Sequence, residues 1–456
     1  MRTLLIKLRI PTLAALLLTL SPGVKAQSSL DAYIDIGLQN NLVLQQKNIS
    51  LEKALYSLKI AKGMFMPSLA LIGNYTTGDG GRSISLPVGD LLNPVYSTLN
   101  QLTDSEAFPQ IENVEQNFFP QNFYDVRTRL SMPIFNTDLV YNKKIQSQQI
   151  QLQEFEVIIY KRELIRNIKV AYFNYLGARK GSAIYESALI RAQESKRVNE
   201  SLLANGRGLP AYVLRAQSEM ETLSAQKNEA DQLVRNAQLY LNFLLNREAN
   251  ASVEEAYDAT LNNAIQLLAQ PASGELREEL LQVQTGIEIN SNILKMKQSF
   301  WMPKVNGFVD VGAQAENLKY NSDANYYLLG LQVDVPIFAG FTNRYKTSQA
   351  KLDLKNAELN RGLVGQQVNM SSSMAQNSLR TAYQNYLSAT KQLEAAQSYQ
   401  HLIERGYKEG VNTFIESLDA RNQLTTAQLL VTTNQYKVLI AEANLEREMA
   451  TYVLNK

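Results

Sequence analysis

The chain has 456 residues and carries 45 basic and 43 acidic side chains, so its net charge of +2 provides no electrostatic footprint for nucleic acid. It has no cysteine and one histidine, His401, which excludes a disulfide framework and thiolate chemistry and argues against His/Cys metal sites. With no catalytic or phosphate-binding motif either, we expect no enzyme activity, no cofactor and no bound metal.

Residues 1–26 have the layout of a secretory signal peptide. Arg2, Lys7 and Arg9 precede an apolar stretch, residues 13–20, that is too short to span a membrane as a helix. Small residues at positions 24 and 26 then provide a cleavage site, and the mature chain is predicted to be 27–456. A buried N-terminal helix is the alternative interpretation of this stretch.

Two later segments, 136–205 and 341–405, contain no proline and two glycines each, and both are rich in strong helix formers. Each is predicted to form one helix of roughly 65 residues, or about 100 Å at 1.5 Å per residue. Helices of this length are far outside the globular norm and indicate coiled-coil-like packing.

Three motifs recur along the mature chain in the same order, which indicates an internal duplication. The pairs are Met66-Pro67 with Met302-Pro303 at offset 236, 132–135 with 335–338 at offset 203, and 208–212 with 410–414 at offset 202.

These offsets predict repeat 1 at about 27–247, repeat 2 at about 276–456 and an equatorial connector at about 248–275. Each repeat has the order helix, strand, strand, long helix, helix. The larger first offset places an insertion at 79–122, which its glycine, proline and asparagine content predicts to be a loop.

The predicted strands alternate apolar and polar residues with period two, as barrel strands in a membrane do. A sheet on a soluble core alternates in the same way, so the pattern alone leaves both structures open. Four strands cannot close a barrel, which requires a trimer with twelve strands or a dimer with eight, and a conducting lumen favours the trimer. The strands lie near 68–77, 123–133, 304–314 and 326–336.

In this order of elements the chain resembles the TolC-like outer membrane efflux proteins over essentially all of its mature length. The motifs that carry the resemblance are the strand exits 132–135 and 335–340 and the tip turn 407–414 with the segment 415–421 that follows it. The resemblance implies a homotrimer that combines a membrane β-barrel with a long α-helical coiled-coil barrel, four strands per chain, in the outer membrane of a Gram-negative bacterium.

The resemblance also implies a passive exit duct of a tripartite efflux or type I secretion system. Its partners would be outer-membrane lipid, a periplasmic adaptor (membrane fusion protein) and an inner-membrane transporter of the RND, ABC or MFS type. The adaptor would contact the helical tip turns at Gly208, Leu209, Gly410 and Val411. Drug, metal and protein export all stay open, as does the alternative of a structural periplasmic coiled-coil protein without a barrel.

Glu416 and Asp419 are the candidate periplasmic gate residues. They share one helix face and match positions where the family carries two aspartates around the closed entrance, although the first is glutamate here. Three copies would form a ring of six carboxylates that attracts cations. Thr413 and Glu416 also fit a capping box, so a purely structural role for Glu416 is the alternative.

Three further residues are candidates for holding the tip closed. Tyr407 matches a family tyrosine that ties the closed helices together, but the family's arginine and aspartate partners are absent here. Arg207 and Arg215 are therefore the candidate replacements for those links. At offset 202 the first repeat carries Leu214 opposite Glu416 and Gln217 opposite Asp419, so the two tips are predicted to differ in charge.

Overall fold

The computed structural model describes residues 29–119, 121–257, 259–270 and 277–454. The predicted signal peptide lies outside these residues, as do residues 258 and 271–275 of the predicted connector. The described chain divides into two compact units. The strand unit comprises residues 49–156 and 279–364, and the helix unit comprises the residues up to 48, residues 157–278 and the residues from 365 onward.

The helices and strands follow the duplicated order predicted from the sequence. In chain order they are α1 (Ser29–Asn40), α2 (Leu42–Gly63), β1 (Ser68–Thr76), β2 (Ser83–Leu86), α3 (Val88–Thr103), β3 (Val114–Asn117), β4 (Phe123–Phe135), α4 (Thr137–Ala204), α5 (Pro210–Leu244), α6 (Asn262–Ala269), α7 (Glu278–Gln298), β5 (Lys304–Ala315), β6 (Asn325–Asp334), α8 (Thr342–Lys408) and α9 (Phe414–Met449).

The two very long helices are confirmed. Helix α4 has 68 residues and α8 has 67, and both contribute residues to both units. Each ends two residues before a glycine with positive φ, Gly206 at 68° and Gly410 at 78°. A left-handed residue at this place ends a helix because it turns the chain away from the helical path, and glycine adopts it without steric cost.

A four-stranded antiparallel sheet forms the centre of the strand unit, in the order β1-β4-β5-β6. The order leaves β1 and β6 as unpaired edges. The β4–β5 pairing is irregular between Pro133 and Phe135, where proline cannot donate a ladder hydrogen bond.

The two faces of this sheet differ in chemistry. One face carries large apolar side chains that are all exposed in the single chain, namely Leu69, Leu71, Val126, Leu130, Val311, Leu329 and Leu331.

On the opposite face, the register places Arg129 of β4 beside Asp310 of β5. Their two hydrogen bonds measure 2.7 and 2.6 Å, and Asp310 also lies 3.8 Å from Arg127. Arg127 in turn pairs with Asp125. Charges on one face and apolar side chains on the other fit a sheet between lipid and a water-filled lumen.

The prediction that residues 79–122 form a loop is wrong. This insertion contains the 16-residue helix α3 and a short hairpin of β2 and β3. Asn93 and Asn100, seven residues apart on α3, each exchange two hydrogen bonds with the backbone of the returning segment 105–113, at 2.8–3.0 Å. These amide side chains take the place of backbone–backbone hydrogen bonds in holding the insertion together. Glycine and proline content does not reveal such contacts, so it predicts a loop.

One apolar cluster of the helix unit lies where α6, α8 and α9 meet. Leu379, Val438 and Leu445 are fully buried there, and α6 adds Ala264 and Leu267. Helix α6 lies inside the predicted connector. None of the helices in the described part of the chain is both long and apolar enough to cross a membrane.

Buried ion pairs add to the helix unit. Arg162 forms a bidentate pair with Glu278 at 2.8–3.0 Å and also donates to the backbone carbonyl of Tyr452 at 2.8 Å. Arg277, which is buried, pairs with Glu448. These contacts fix the last residues of the described chain against α4 and α7.

Candidate functional site

The two tip turns have the same backbone geometry, and this geometry corrects the register read from the sequence. In the first turn Arg207 N–H donates to Leu202 at 2.8 Å, and in the second Val411 N–H donates to Gly406 at 2.8 Å. The residue before each following helix is Leu209 in one turn and Thr413 in the other. All of these pairs differ by 204 positions, so the offset of 202 is wrong for the tip.

With the corrected register, Tyr212 is the counterpart of Glu416 and Arg215 is the counterpart of Asp419. Leu214 and Gln217 are therefore not the equivalents. The prediction that the two tips differ in charge holds in a stronger form, because a cation in one repeat occupies the position of an anion in the other.

Glu416 is held by the capping box at the start of α9. Its carboxylate accepts hydrogen bonds from the Thr413 N–H at 2.7 Å, the Thr413 hydroxyl at 3.1 Å and the Asn412 amide at 3.3 Å. Its own N–H donates to the Thr413 hydroxyl oxygen at 3.3 Å. The hydrogen bond from the Thr413 backbone, followed by those from the two side chains, lowers the pKa of Glu416. The charge is exposed, but its geometry is that of a helix cap.

Asp419 is less constrained. Its side chain is exposed and accepts one hydrogen bond, from the Gln423 amide at 2.7 Å. It lines an open groove of about 530 Å³ between α8 and α9, together with Tyr399 and Asn422. A carboxylate that faces open space can act on passing ions, which Glu416 can do only while it also caps the helix.

Tyr407 takes part in an aromatic cluster rather than in a polar link. Its ring lies 6.4 Å from that of Phe414, which in turn lies 5.1 Å from Tyr212. Ala216 and Leu418 complete this cluster, in which Phe414 is 1% exposed. Burial raises the pKa of Tyr407, and Arg421 opposes the rise. The cluster packs the start of α9 against the start of α5 and the end of α8.

Arg207 and Arg215 are both exposed, and neither forms a salt bridge within the described chain. Both side chains are accessible from outside the single chain. This arrangement leaves both side chains available for the tip links predicted from the sequence.

A small cavity beside the cluster was not predicted. It has a volume of about 20 Å³ between α4, α5 and α9, and Arg191 and Arg421 both line it. Burial lowers the pKa of Arg191, and the nearby charge of Arg421 lowers it further. The Arg191 guanidinium reaches the Thr425 hydroxyl at 3.5 Å. Arg191 and Arg421 are 230 residues apart in the chain, so no local sequence pattern could predict that they line one cavity.

A second unpredicted group lies further along α9. Glu442 is buried, and one of its carboxylate oxygens has no hydrogen-bond partner. Burial raises the pKa of Glu442 to about 7, with a further rise from Glu446 and opposing effects from Lys169 and Asn263. No group of three or more His, Cys, Asp or Glu residues in the described chain is placed to hold a metal ion.

Solved structures with this arrangement of strands and long helices are outer-membrane channels. VceC of Vibrio cholerae superposes with a TM-score of 0.73 at 14% identity, covering 92% of this chain and 95% of that one. The open state of MtrE of Neisseria gonorrhoeae gives 0.73 at 16% identity, with 92% and 89% covered. CmeC of Campylobacter jejuni gives 0.72 at 15% identity, with 92% and 85% covered. No curated protein sequence matches the chain.

A sequence profile of the family described as outer membrane efflux protein matches residues 34–247 and 275–451. The chain belongs to this family. It is a subunit of a trimeric, non-enzymatic channel in the outer membrane of a Gram-negative bacterium, and it extends into the periplasm as the exit duct of a tripartite efflux system.

The alternative of a coiled-coil protein without a barrel is therefore wrong. Three four-stranded sheets close the barrel, and since β1 and β6 are the free edges of each sheet, closure joins β1 of one protomer to β6 of its neighbour.

Proposed function

We propose that the periplasmic end of this channel is a cation-attracting gate in which Asp419 is the main charged group. The observation that carries the proposal is the contrast between two acidic side chains on one helix. Asp419 faces an open groove with one hydrogen bond, whereas Glu416 is committed to the helix cap. In a trimer three copies of Asp419 surround one axis, and Glu416 adds three more charges at the same level.

The gate is held closed by contacts between the tips. The aromatic cluster of Tyr407, Phe414 and Tyr212 packs the three helix ends within one protomer. The exposed guanidinium groups of Arg207 and Arg215 are suited to links with neighbouring protomers. Arg215, as the repeat counterpart of Asp419, has the charge needed to pair with that carboxylate.

The partners are a periplasmic adaptor and an inner-membrane transporter of the RND, ABC or MFS type. The tip turns support this assignment because each presents exposed backbone and an exposed apolar side chain to a partner. Val411 is 80% exposed and Leu209 is 54% exposed, next to Gly208 and Gly410. An added Cβ at Gly208 would approach the Leu203 nitrogen to 2.6 Å, so this turn tolerates glycine only.

Replacement of Asp419 by asparagine is expected to reduce cation selectivity and divalent-cation block from the periplasmic side, because the field at the entrance comes from these carboxylates. The difference should shrink at 1 M salt, where the Debye length is about 3 Å. Glu416→Gln is the companion variant, since glutamine still completes a capping box while removing the charge. The measurement is single-channel reversal potential in planar bilayers.

The matched control is Gln423→Ala, which removes the hydrogen bond to Asp419 and keeps its charge. It should leave selectivity unchanged. If Asp419→Asn has no effect on selectivity or divalent block, the ring is absent and Glu416 acts only in helix capping.

We also propose that residues 79–122 face the cell exterior. They connect β1 to β4 at the ends opposite those that lead to α2 and α4, and the long helices extend into the periplasm. An epitope tag inserted at Gly80, which is exposed and has open space around it, should be accessible to antibody on intact cells that assemble the trimer. A tag detected only after the outer membrane is broken would contradict this placement.

A further inference from the structure

Helix α3 of the insertion has an apolar face that its own chain covers only in part. Its apolar residues are Val88, Leu92, Val95, Leu99 and Leu102, which follow one another at intervals of four, three, four and three. Leu91 widens this face and is 70% exposed, Val95 is 51% exposed and Leu102 is 77% exposed. We call these six residues the α3 seam.

The other side of α3 is already occupied. Asn93 and Asn100 bind the returning segment 105–113, and Tyr96 packs on Phe108 with ring centroids 5.7 Å apart. Pro94 also lies away from the seam, so the bend that it introduces does not interrupt the apolar residues. The rest of the insertion therefore packs against one face of α3, and the seam faces outward.

Alternation of three and four residues is the spacing by which one helix packs along another, because it keeps apolar side chains on a single line every 3.5 residues. A helix that lies on a lipid surface needs a broad apolar face and basic flanks instead. The insertion has six acidic residues and one basic residue, Arg82, for a net charge of −5. This charge opposes contact of the insertion with anionic lipid headgroups.

The trimer itself supplies a partner helix for the seam. The insertion begins directly after β1, the edge strand at which each protomer meets its neighbour. A barrel of twelve strands has a radius of about 12 Å, from a strand spacing of about 4.8 Å and a tilt of about 40°. The six residues 77–82 between β1 and β2 span up to about 20 Å when extended. Three insertions can therefore reach the threefold axis.

We propose that the three α3 helices of the trimer pack their seams against one another around this axis, forming a helical cap over the exit of the channel. The inference rests on the exterior placement of residues 79–122 proposed above. Each seam packs against the equivalent seams of the other copies in the trimer. Burial of the leucines and valines stabilises the cap at the place where the trimer already brings them together.

The absence of cysteine from the native chain makes a direct test possible. Val95→Cys places a thiol on the seam, and Gln101→Cys places one on an exposed position turned away from it. Intact cells are treated with a short bis-maleimide. Val95→Cys is expected to give covalent dimers from up to about two-thirds of its chains, since one reagent joins two of three protomers. Gln101→Cys is expected to give almost none.

Two further measurements distinguish a wrong placement of the insertion and a misfolded variant from the absence of a helical cap. A membrane-impermeant maleimide that labels Gln101→Cys on intact cells verifies the exterior placement, independently of any cap. Trimer assembly of both variants in detergent excludes misfolding as the cause of a negative result. The proposal is overturned if Val95→Cys cross-links no more than Gln101→Cys while both assemble and Gln101→Cys is labelled. A cross-linked Val95→Cys channel should also conduct less than the same channel before treatment.

Discussion

Replacing Phe414 with alanine is expected to destabilise the helical tip by about 3–5 kcal/mol, the usual cost of deleting a buried phenylalanine ring. The ring is almost completely buried and contacts Tyr407 and Tyr212, so its loss leaves a cavity between α5, α8 and α9. Amide hydrogen exchange of the two tip turns in the detergent-solubilised trimer should become faster by orders of magnitude.

The matched control is Ile415→Ala, one residue further along the same helix. Ile415 is 49% exposed, so its truncation should change exchange at the tip only slightly. Equal exchange in the two variants would mean that the aromatic cluster does not hold the tip together.

The second large effect is a pH dependence of the stability of the fold, caused by Glu442. In the unfolded chain Glu442 titrates near 4.5, and in the folded chain burial raises its pKa to about 7. Between these values the folded protein binds the proton more tightly, so Glu442 costs the fold little below pH 4.5 and progressively more as the pH rises to 7. The loss amounts to about 3 kcal/mol by pH 8, since each pKa unit corresponds to about 1.4 kcal/mol.

Glu442→Gln should therefore raise the thermal unfolding midpoint at pH 8 and leave it nearly unchanged at pH 5. The control is Glu358→Gln, on an exposed position of α8, which should not alter the difference between the two pH values. The wild-type midpoint should drop relative to that of Glu442→Gln when the pH is raised from 5 to 8. If it does not, Glu442 is not a buried neutral acid.

The sequence predicted those parts of the fold that depend on local chemistry. Unbroken runs of helix formers predicted α4 and α8, because no residue within 137–204 or 342–408 forces the chain out of a helix. Alternation of side chains predicted a sheet with one apolar and one charged face. The number of strands then required a closed oligomer, because in lipid every strand edge must be paired, and a conducting lumen favoured the trimer over the dimer.

The tip register was missed for a specific reason. Gly208 and Gly410 were aligned because both precede an aromatic residue at the same spacing, yet the left-handed helix end lies at Gly206 in the first repeat. Gly208 serves a different need, the close approach of the turn to the last residues of α4. Sequence spacing alone does not distinguish a glycine that adopts a left-handed conformation from one that allows a close backbone approach.

The remaining features depend on contacts between distant segments. Helix α3 needs amide side chains to bind a returning segment, and the buried Glu442 needs α6 and α4 to cover it. Neither arrangement leaves a periodic pattern. The seam of α3 is periodic, but glycines and prolines around it favoured a loop in the sequence.

The mass of the detergent-solubilised complex, measured by native mass spectrometry, tests the central claim most directly. A sheet of four strands with free edges at β1 and β6 requires a closed assembly of several chains, and the family forms trimers. We expect a single species with three times the mass of the mature chain. A stable monomer or a dimer would contradict a twelve-stranded barrel and the exit duct that depends on it.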